Sequence, residues 1–109
     1  MSVKICGQVG RLKREKIEEY VELHANTWEG VLKTIKKCHL NNYSIFLHDD
    51  MVFAYFEYTG SDFDADMAKM AKDQITQNWW AHTRPCFVKF AMSEQGEFYT
   101  DMKQIFFNE

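Results

Sequence analysis

The stretch NYSIFLHDDMVFAYFEY, residues 42–58, contains two runs of strand-forming residues on either side of an acidic pair. Isoleucine, phenylalanine, valine and tyrosine favour a pleated, half-buried surface, whereas adjacent aspartates favour a turn. The stretch therefore predicts antiparallel strands over residues 42–48 and 51–58, joined by a short turn at Asp49-Asp50.

Extended and helical patterns alternate along the rest of the chain. Residues 3–9 alternate apolar and polar side chains, which predicts a first strand. Apolar residues recur every three or four positions from 17 to 35, which predicts a helix that is kinked near 25–28 or broken there into two. Asp62 is expected to cap another helix that runs to about Thr83. Residues 86–92 are ambiguous, and residues 102–108, MKQIFFN, predict a last strand.

The order strand, helix, strand, strand, helix, strand predicts an α+β fold, with a ferredoxin-like βαββαβ antiparallel sheet. A length of 109 residues fits one domain, residues 1–109. Helices would cover one face of the sheet, so aromatic residues on the other face must bury against a ligand or a partner. A homodimer packed sheet on sheet is the simplest solution. The aromatic residues in question are Phe46, Phe53, Tyr55, Phe106 and Phe107.

Composition excludes several classes of protein. A net charge of −3 argues against a nucleic-acid binder. We find neither a signal peptide nor the run of roughly 18 apolar residues that a membrane span requires. Cys6, Cys38 and Cys86 are odd in number and lack metal-ligand spacing, which predicts reduced thiols, a cytoplasmic location and no metal site.

Tyr20, His24 and Trp28 are spaced four residues apart, which places them on one face of the predicted helix. Two interpretations of His24 are open. It is either a core histidine that hydrogen-bonds the main chain, or an acid/base group whose ordinary pKa near 6.5 suits proton transfer at neutral pH.

Other candidate residues also allow two interpretations. Neighbours on a helix point about 100° apart, so one of Trp79 and Trp80 should pack inward while the other lines a cleft or an interface. Indole rings stack on sugars, so a carbohydrate site is one interpretation of this pair. Tyr43 either belongs to the core or directs its phenol into a cavity. Glu57 either faces solvent or a cross-strand partner, or is a buried acid/base group with a raised pKa.

Four segments, EEYVELHANTWEGVL, NNYSIFL, FAYFEY and QNWWAHTRP, together resemble the L-rhamnose mutarotase family. The resemblance implies a dimeric α+β barrel that needs no cofactor and interconverts the α and β anomers of a 6-deoxy sugar. It implies an acid/base role for His24 and substrate binding by Tyr20, Tyr43, Trp79 and Trp80. The chain departs from the family pattern at residues 25–29, at Asn41 and over residues 86–101.

The expected function is therefore that of an aldose mutarotase, with L-rhamnose as the monosaccharide substrate and L-fucose as the alternative. Ring opening requires a proton on the ring oxygen, which His24 would supply, and removal of the anomeric hydroxyl proton. Tyr20, Glu57 or a bound water would take that second proton, and Trp28 would border the pocket. The competing hypotheses are a cofactor-free monooxygenase or haem-binding protein of the same barrel group, and a non-catalytic sugar-binding module.

Overall fold

An antiparallel sheet forms the centre of the computed structural model, which describes residues 3–88 and 98–109. The strands of the described residues are β1 (Lys4–Leu12), β2 (Leu40–His48), β3 (Met51–Tyr58), β4 (Phe87–Val88) and β5 (Thr100–Met102). Strand β3 lies between β2 and β1, and both β4 and β5 pair with the far side of β1. This order is that of a ferredoxin-like sheet, so the predicted fold class is confirmed.

The hairpin of β2 and β3 closes through the predicted acidic turn. Asp49 adopts a left-handed conformation, φ 55°, which aspartate tolerates better than most residues. The carboxylate of Asp50 accepts hydrogen bonds from Nη1 of Arg11 at 2.8 and 3.0 Å, and its carbonyl accepts from the amide of Leu12 at 2.7 Å. The turn is therefore fixed to the end of β1.

Two helices, α1 (Ile17–Ala25) and α2 (Glu29–Lys37), follow β1 after a short 3-10 turn. The chain breaks between them because Asn26 leaves the helical conformation and Trp28 is extended at the start of α2. The hydroxyl of Thr27 donates to the carbonyl of His24 at 2.9 Å, which satisfies a main-chain group that the end of α1 leaves free. Of the two versions predicted for this region, the broken one is confirmed.

The single helix predicted from Asp62 to Thr83 is wrong. Asp62 does cap α3 (Phe63–Lys72), but Asp73 is extended and caps a separate helix, α4 (Gln74–Thr83). The carboxylate of Asp73 accepts hydrogen bonds from the amide and the hydroxyl of Thr76, both at 2.9 Å. An aspartate that satisfies free amides in this way starts a helix rather than continuing one.

The last strand is shorter than predicted and begins earlier. It spans Thr100–Met102, pairs with Gly7–Val9 of β1, and ends before the predicted apolar residues. Ile105, Phe106 and Phe107 are 90 %, 80 % and 57 % exposed and form no strand. Strand-forming residues need a partner edge, and the chain leaves the edge of β1 at Met102. Residues 89–92 of the ambiguous stretch lie outside the described residues.

The two faces of the sheet differ in burial. Along β3, Val52, Ala54, Phe56 and Tyr58 are buried beneath the helices, and the residues between them are only half-buried. Phe53 and Tyr55 lie on the less buried face, and Phe46, paired with Phe53, is 62 % exposed. Of these three aromatic residues on the less buried face, Phe46 is exposed, and Phe53 and Tyr55 are half-buried. Within the described ranges, no helix is long and apolar enough to cross a bilayer.

Candidate active site

A cavity of about 640 Å³ opens between the helices and the first half of β2. Its volume lies within the range of roughly 300–1,000 Å³ that is common for small-molecule sites. Four residues predicted from the sequence line it: His24, Tyr43, Trp79 and Trp80. The other lining residues are Thr27, Val31, Leu32, Ile35, Lys36, Leu40, Asn42, Ile45, Met70 and Thr76.

His24 occupies the last turn of α1, and a hydrogen bond one turn long fixes its ring. Its Nδ1 lies 2.9 Å from the carbonyl oxygen of Tyr20. A carbonyl can only accept, so Nδ1 carries the hydrogen and Nε2 of the neutral ring carries the lone pair. The Tyr20 ring lies against the imidazole at a centroid distance of 4.3 Å, and the Trp79 ring meets it edge-on at 5.3 Å.

Burial lowers the pKa of His24 below its ordinary value of 6.5, and the hydrogen bond to Tyr20 opposes this shift without cancelling it. The imidazole is therefore mostly neutral at pH 7. None of the described residues hydrogen-bonds Nε2. The sequence left open whether His24 is a core residue or an acid/base group, and the geometry combines both features: one nitrogen is satisfied by the main chain and the other is available.

Tyr20 lies behind His24 and does not line the cavity. It is 4 % exposed, and its hydroxyl lies 2.8 Å from that of Tyr99. Burial and then the neighbouring Tyr99 raise the pKa of Tyr20, so its hydroxyl stays protonated. The Tyr99 ring packs edge-on against Phe87 at 5.1 Å. No sequence pattern indicates this role for Tyr99, because an aromatic residue before a strand is equally typical of ordinary core packing.

Tyr43 reaches the cavity through a bulge in β2. Asn42 and Tyr43 both lie opposite the single residue Phe56 of β3, and Asn42 is left-handed, φ 51°. The Tyr43 ring stacks on Phe56 at 5.3 Å. Desolvation raises the pKa of Tyr43, and the neighbouring phenol of Tyr99 adds to the shift. The flanking pairs in the register are Asn41 with Glu57 and Ser44 with Tyr55.

The two adjacent tryptophans differ in burial, as predicted, although both line the cavity. Trp79 is 5 % exposed and packs edge-on against Trp28 at 5.2 Å, so Trp28 supports the wall from behind. Trp80 is half-buried, and the guanidinium of Arg84 lies 4.5 Å from its ring centroid. This contact is a cation–π interaction that restrains the orientation of Trp80.

A second hollow of about 800 Å³ lies on the other side of Trp80. The only ionisable side chains among the described residues that line it are Lys13 and Arg84. No histidine or carboxylate is among the described residues that line this hollow. The cavity at His24 is therefore the better candidate site.

Glu57 lies on the other face of the sheet and does not line the cavity. Its carboxylate accepts hydrogen bonds from the Tyr55 hydroxyl at 2.6 Å and from Nδ2 of Asn42 at 3.1 Å. These bonds, that of Tyr55 foremost, lower the pKa of Glu57, which is opposite to the raised pKa expected of a buried acid. Of the two interpretations of Glu57, the one that fits these contacts is a carboxylate that faces a cross-strand partner.

The cavity thus combines a neutral imidazole with aromatic walls and few polar groups. None of the described residues hydrogen-bonds the Tyr43 hydroxyl or the indole N–H groups of Trp79 and Trp80, so all three are available to a ligand. Such a site can bind a small neutral molecule with hydroxyl groups and exchange a proton with it. In the described part of the chain, no three His, Cys, Asp or Glu side chains are grouped as they would be to hold a metal ion.

A family model described as L-rhamnose mutarotase matches residues 5–107 of the chain. The L-rhamnose mutarotase of Oceanobacillus iheyensis is 32 % identical over 92 residues, which are 84 % of this chain and 86 % of that protein. The L-rhamnose mutarotase of Bacillus subtilis is 28 % identical over 96 residues, which are 86 % of this chain and 88 % of that protein.

Solved structures resemble the chain in fold. The crystal structure of an L-rhamnose mutarotase from Formosa agariphila superposes with a TM-score of 0.75 at 17 % identity, covering 97 % of this chain and 99 % of that one. Tetracenomycin F2 cyclase from Streptomyces glaucescens superposes with a TM-score of 0.65 at 13 % identity over the same fractions. At these identities the likeness concerns the fold alone, which is shared by proteins of different chemistry.

Proposed function

Because the chain belongs to the L-rhamnose mutarotase family, we propose that it is an isomerase that interconverts the α and β anomers of L-rhamnose. The observation that carries the proposal is the ring of His24. One of its nitrogens is fixed by the main chain, and the other is available in an aromatic cavity of about 640 Å³. This arrangement suits a group that alternately accepts and donates a proton.

The proposed reaction uses His24 first as a base. Neutral Nε2 takes the proton of the anomeric hydroxyl as the bond between C1 and the ring oxygen breaks and C1 becomes a carbonyl carbon. The imidazolium then protonates the ring oxygen, which is bonded to the same carbon and so lies within reach of the same nitrogen. Rotation about the bond from C1 to C2 and the reverse proton transfers close the ring as the other anomer. Protons and electrons balance with no other reactant.

We propose that Tyr43, Trp79 and Trp80 hold the sugar ring. The hydroxyl of Tyr43 stays protonated at neutral pH, because its pKa is raised, and can donate to a sugar oxygen. The two indoles offer apolar faces and N–H donors. Tyr20 supports His24 from behind, since its own hydroxyl bonds Tyr99. Of the three groups considered for the second proton, a bound water remains, and in the proposed reaction His24 itself can take that proton.

The apolar part of the cavity favours a sugar with a methyl group at C6. Val31, Leu32, Ile35, Leu40 and Ile45 are among its lining residues, and a C6 hydroxyl next to them would find few partners. An unpaired buried hydroxyl costs about 1–3 kcal/mol, so L-mannose, which differs from L-rhamnose by that hydroxyl, should react roughly 5- to 150-fold more slowly. L-fucose, also a 6-deoxy sugar, is the alternative substrate.

Saturation-transfer NMR on the anomeric protons tests the proposal. We expect the wild-type protein to accelerate exchange between the two anomeric signals of L-rhamnose, and to accelerate that of L-mannose at least about fivefold less. A protein that broadens the sugar signals but leaves the exchange rate at its spontaneous value is a sugar-binding module. Equal acceleration for the two sugars would overturn the assignment of the methyl subsite.

We further propose a homodimer through the open face of the sheet, in a cytoplasmic protein. The support for the dimer is the exposed Phe46 on that face and the exposed apolar residues after Met102. Phe46→Glu should convert the dimer into a monomer in light scattering, whereas Val21→Glu, on an exposed helix surface, should not. A wild-type monomer at micromolar concentration would contradict the dimer.

The support for the cytoplasmic location is that Cys6, Cys38 and Cys86 are free thiols.

A further inference from the structure

Glu57 uses both carboxylate oxygens within the sheet. Oε1 accepts from Nδ2 of Asn42, and Oε2 accepts from the hydroxyl of Tyr55. Tyr55 lies two residues earlier in β3 and is therefore on the same face as Glu57. Asn42 belongs to the neighbouring strand, so the carboxylate joins β3 to the bulge in β2.

The bulge depends on the conformation of Asn42. Its φ of 51° lies in the left-handed region, which costs most residues with a side chain roughly 1–2 kcal/mol and which asparagine and glycine tolerate best. The hydrogen bond to Glu57, which lies on the open face, restrains the side chain of Asn42, and Asn42 also borders the cavity beside Tyr43. Tyr43, the second residue of the bulge, lies on the helix side of the sheet, where its ring stacks on Phe56.

We propose that Glu57 is a positioning residue of the active site, and that it acts through Asn42 to hold Tyr43 at the cavity. The proposal rests on the proposed function, in which the Tyr43 hydroxyl binds the sugar. Glu57 itself touches no substrate, since it lies on the opposite face of the sheet. In this proposal, a residue on the face of the sheet opposite the cavity holds Tyr43 in the cavity wall.

The chemistry of the carboxylate explains why an acid is needed at position 57. An ionised carboxylate accepts at both oxygens, which matches the two donors that face it. A glutamine has one oxygen and one NH₂ group, so it can satisfy only one of these donors in the same way. Glu57→Gln therefore keeps the size of the side chain and weakens the connection to the bulge.

The test is a double-mutant cycle with Tyr43→Phe, read out by anomer exchange as a function of L-rhamnose concentration. Glu57→Gln in the otherwise wild-type chain should lower kcat/KM about tenfold, the factor typical of one hydrogen bond to a charged group. The loss should appear mainly in KM, because Tyr43 binds the sugar throughout the reaction. In the Tyr43→Phe background, the same change at Glu57 should have little further effect.

Two further variants define the route of the effect. Asn42→Gly keeps the left-handed main chain but removes the bond to Glu57, so it should reproduce the loss, and combining it with Glu57→Gln should add nothing. Asp49→Asn is the matched control, since it changes an acid to its amide at the other end of the same hairpin. Equal losses from Glu57→Gln with and without the Tyr43 hydroxyl would overturn the proposal.

A measurement without substrate separates this proposal from the proposed function. The ring of Phe56 shifts the NMR signals of the stacked Tyr43 ring, which are assigned by their disappearance in Tyr43→Phe. Those signals should move in Glu57→Gln and stay in place in Asp49→Asn. If the Tyr43 signals move in Glu57→Gln but neither the wild-type protein nor any variant exchanges anomers, the proposed function fails and the positioning role of Glu57 stands. If they do not move in a folded Glu57→Gln protein, the positioning is refuted.

Discussion

The Nδ1–H group of His24 donates to the main-chain carbonyl of Tyr20, 2.9 Å away and one turn earlier in α1. This bond selects one tautomer of the neutral ring and turns Nε2 away from the helix. Burial beside Trp79 keeps the ring uncharged, since it lowers the pKa of His24. A hydrogen bond from the His24 side chain to a carbonyl of its own helix thus orients the base before any substrate binds.

The pH dependence of catalysis should follow His24. Because its pKa lies below 6.5 and the neutral form is the base, kcat/KM should be constant near pH 7 and fall as pH drops through the pKa of the free protein. The measurement is NMR exchange of L-rhamnose from pH 4.5 to 8, corrected for the spontaneous reaction. A rate that rises as pH falls below 7 would show that the protonated ring acts first.

The lowered pKa of His24 should also affect the stability of the fold. The unfolded chain binds a proton at His24 near pH 6.5, and the folded chain resists it, so the free energy of unfolding should decrease as pH falls below about 6.5. In His24→Gln this part of the pH dependence should be absent. Urea unfolding of both proteins at pH 7 and at pH 5 measures the difference. Parallel losses in the two proteins would contradict the assignment to His24.

The pair of Tyr20 and Tyr99 should behave as a buried hydrogen bond. Tyr99→Phe leaves the hydroxyl of Tyr20 without its partner, which should cost about 1–3 kcal/mol in the free energy of unfolding. The double variant Tyr20→Phe, Tyr99→Phe removes both hydroxyls and should be more stable than the sum of the single losses predicts. Urea unfolding measures all four proteins. Additive losses would mean that the two hydroxyls do not stabilise each other.

The caps of α3 and α4 should differ in strength. Asp62 accepts one main-chain hydrogen bond, from Ala65, whereas Asp73 accepts from the amide and hydroxyl of Thr76 and from the hydroxyl of Thr34. Asp73→Ala should therefore lower the melting temperature more than Asp62→Ala. Hydrogen bonding from Thr76 lowers the pKa of Asp73, so its penalty should be complete near pH 7 and fade as pH falls below 4. A larger effect of Asp62→Ala would contradict this ranking.

The parts of the fold that local patterns determine were predictable from the sequence. Two runs of strand-forming residues in 42–58 predicted the hairpin, and the acidic pair between them predicted the turn. The break at Asp73 was missed because an aspartate between apolar helical positions also fits the exposed side of a continuous helix. The final strand was misplaced because its extent depends on where the edge of β1 is available, which is a property of the assembled sheet.

The same distinction applies to the site. The spacing of Tyr20, His24 and Trp28 and the pair at 79–80 identified the residues that the fold gathers near one cavity. Tyr99 could not be predicted, since its hydrogen-bonding partner is 79 positions away and no local pattern marks it. Glu57 was a candidate acid because it stands in an apolar strand. Only the register of the sheet shows that its two oxygens face Asn42 and Tyr55.

The most direct test of the central claim is anomer exchange of L-rhamnose by His24→Ala, compared with His48→Ala at the exposed end of β2. Proton transfer by a positioned group typically contributes about 10²–10⁴-fold. We predict that His24→Ala loses at least about a hundredfold in kcat/KM and keeps its fold by circular dichroism, while His48→Ala retains the wild-type rate. Wild-type exchange by a folded His24→Ala protein would contradict the account.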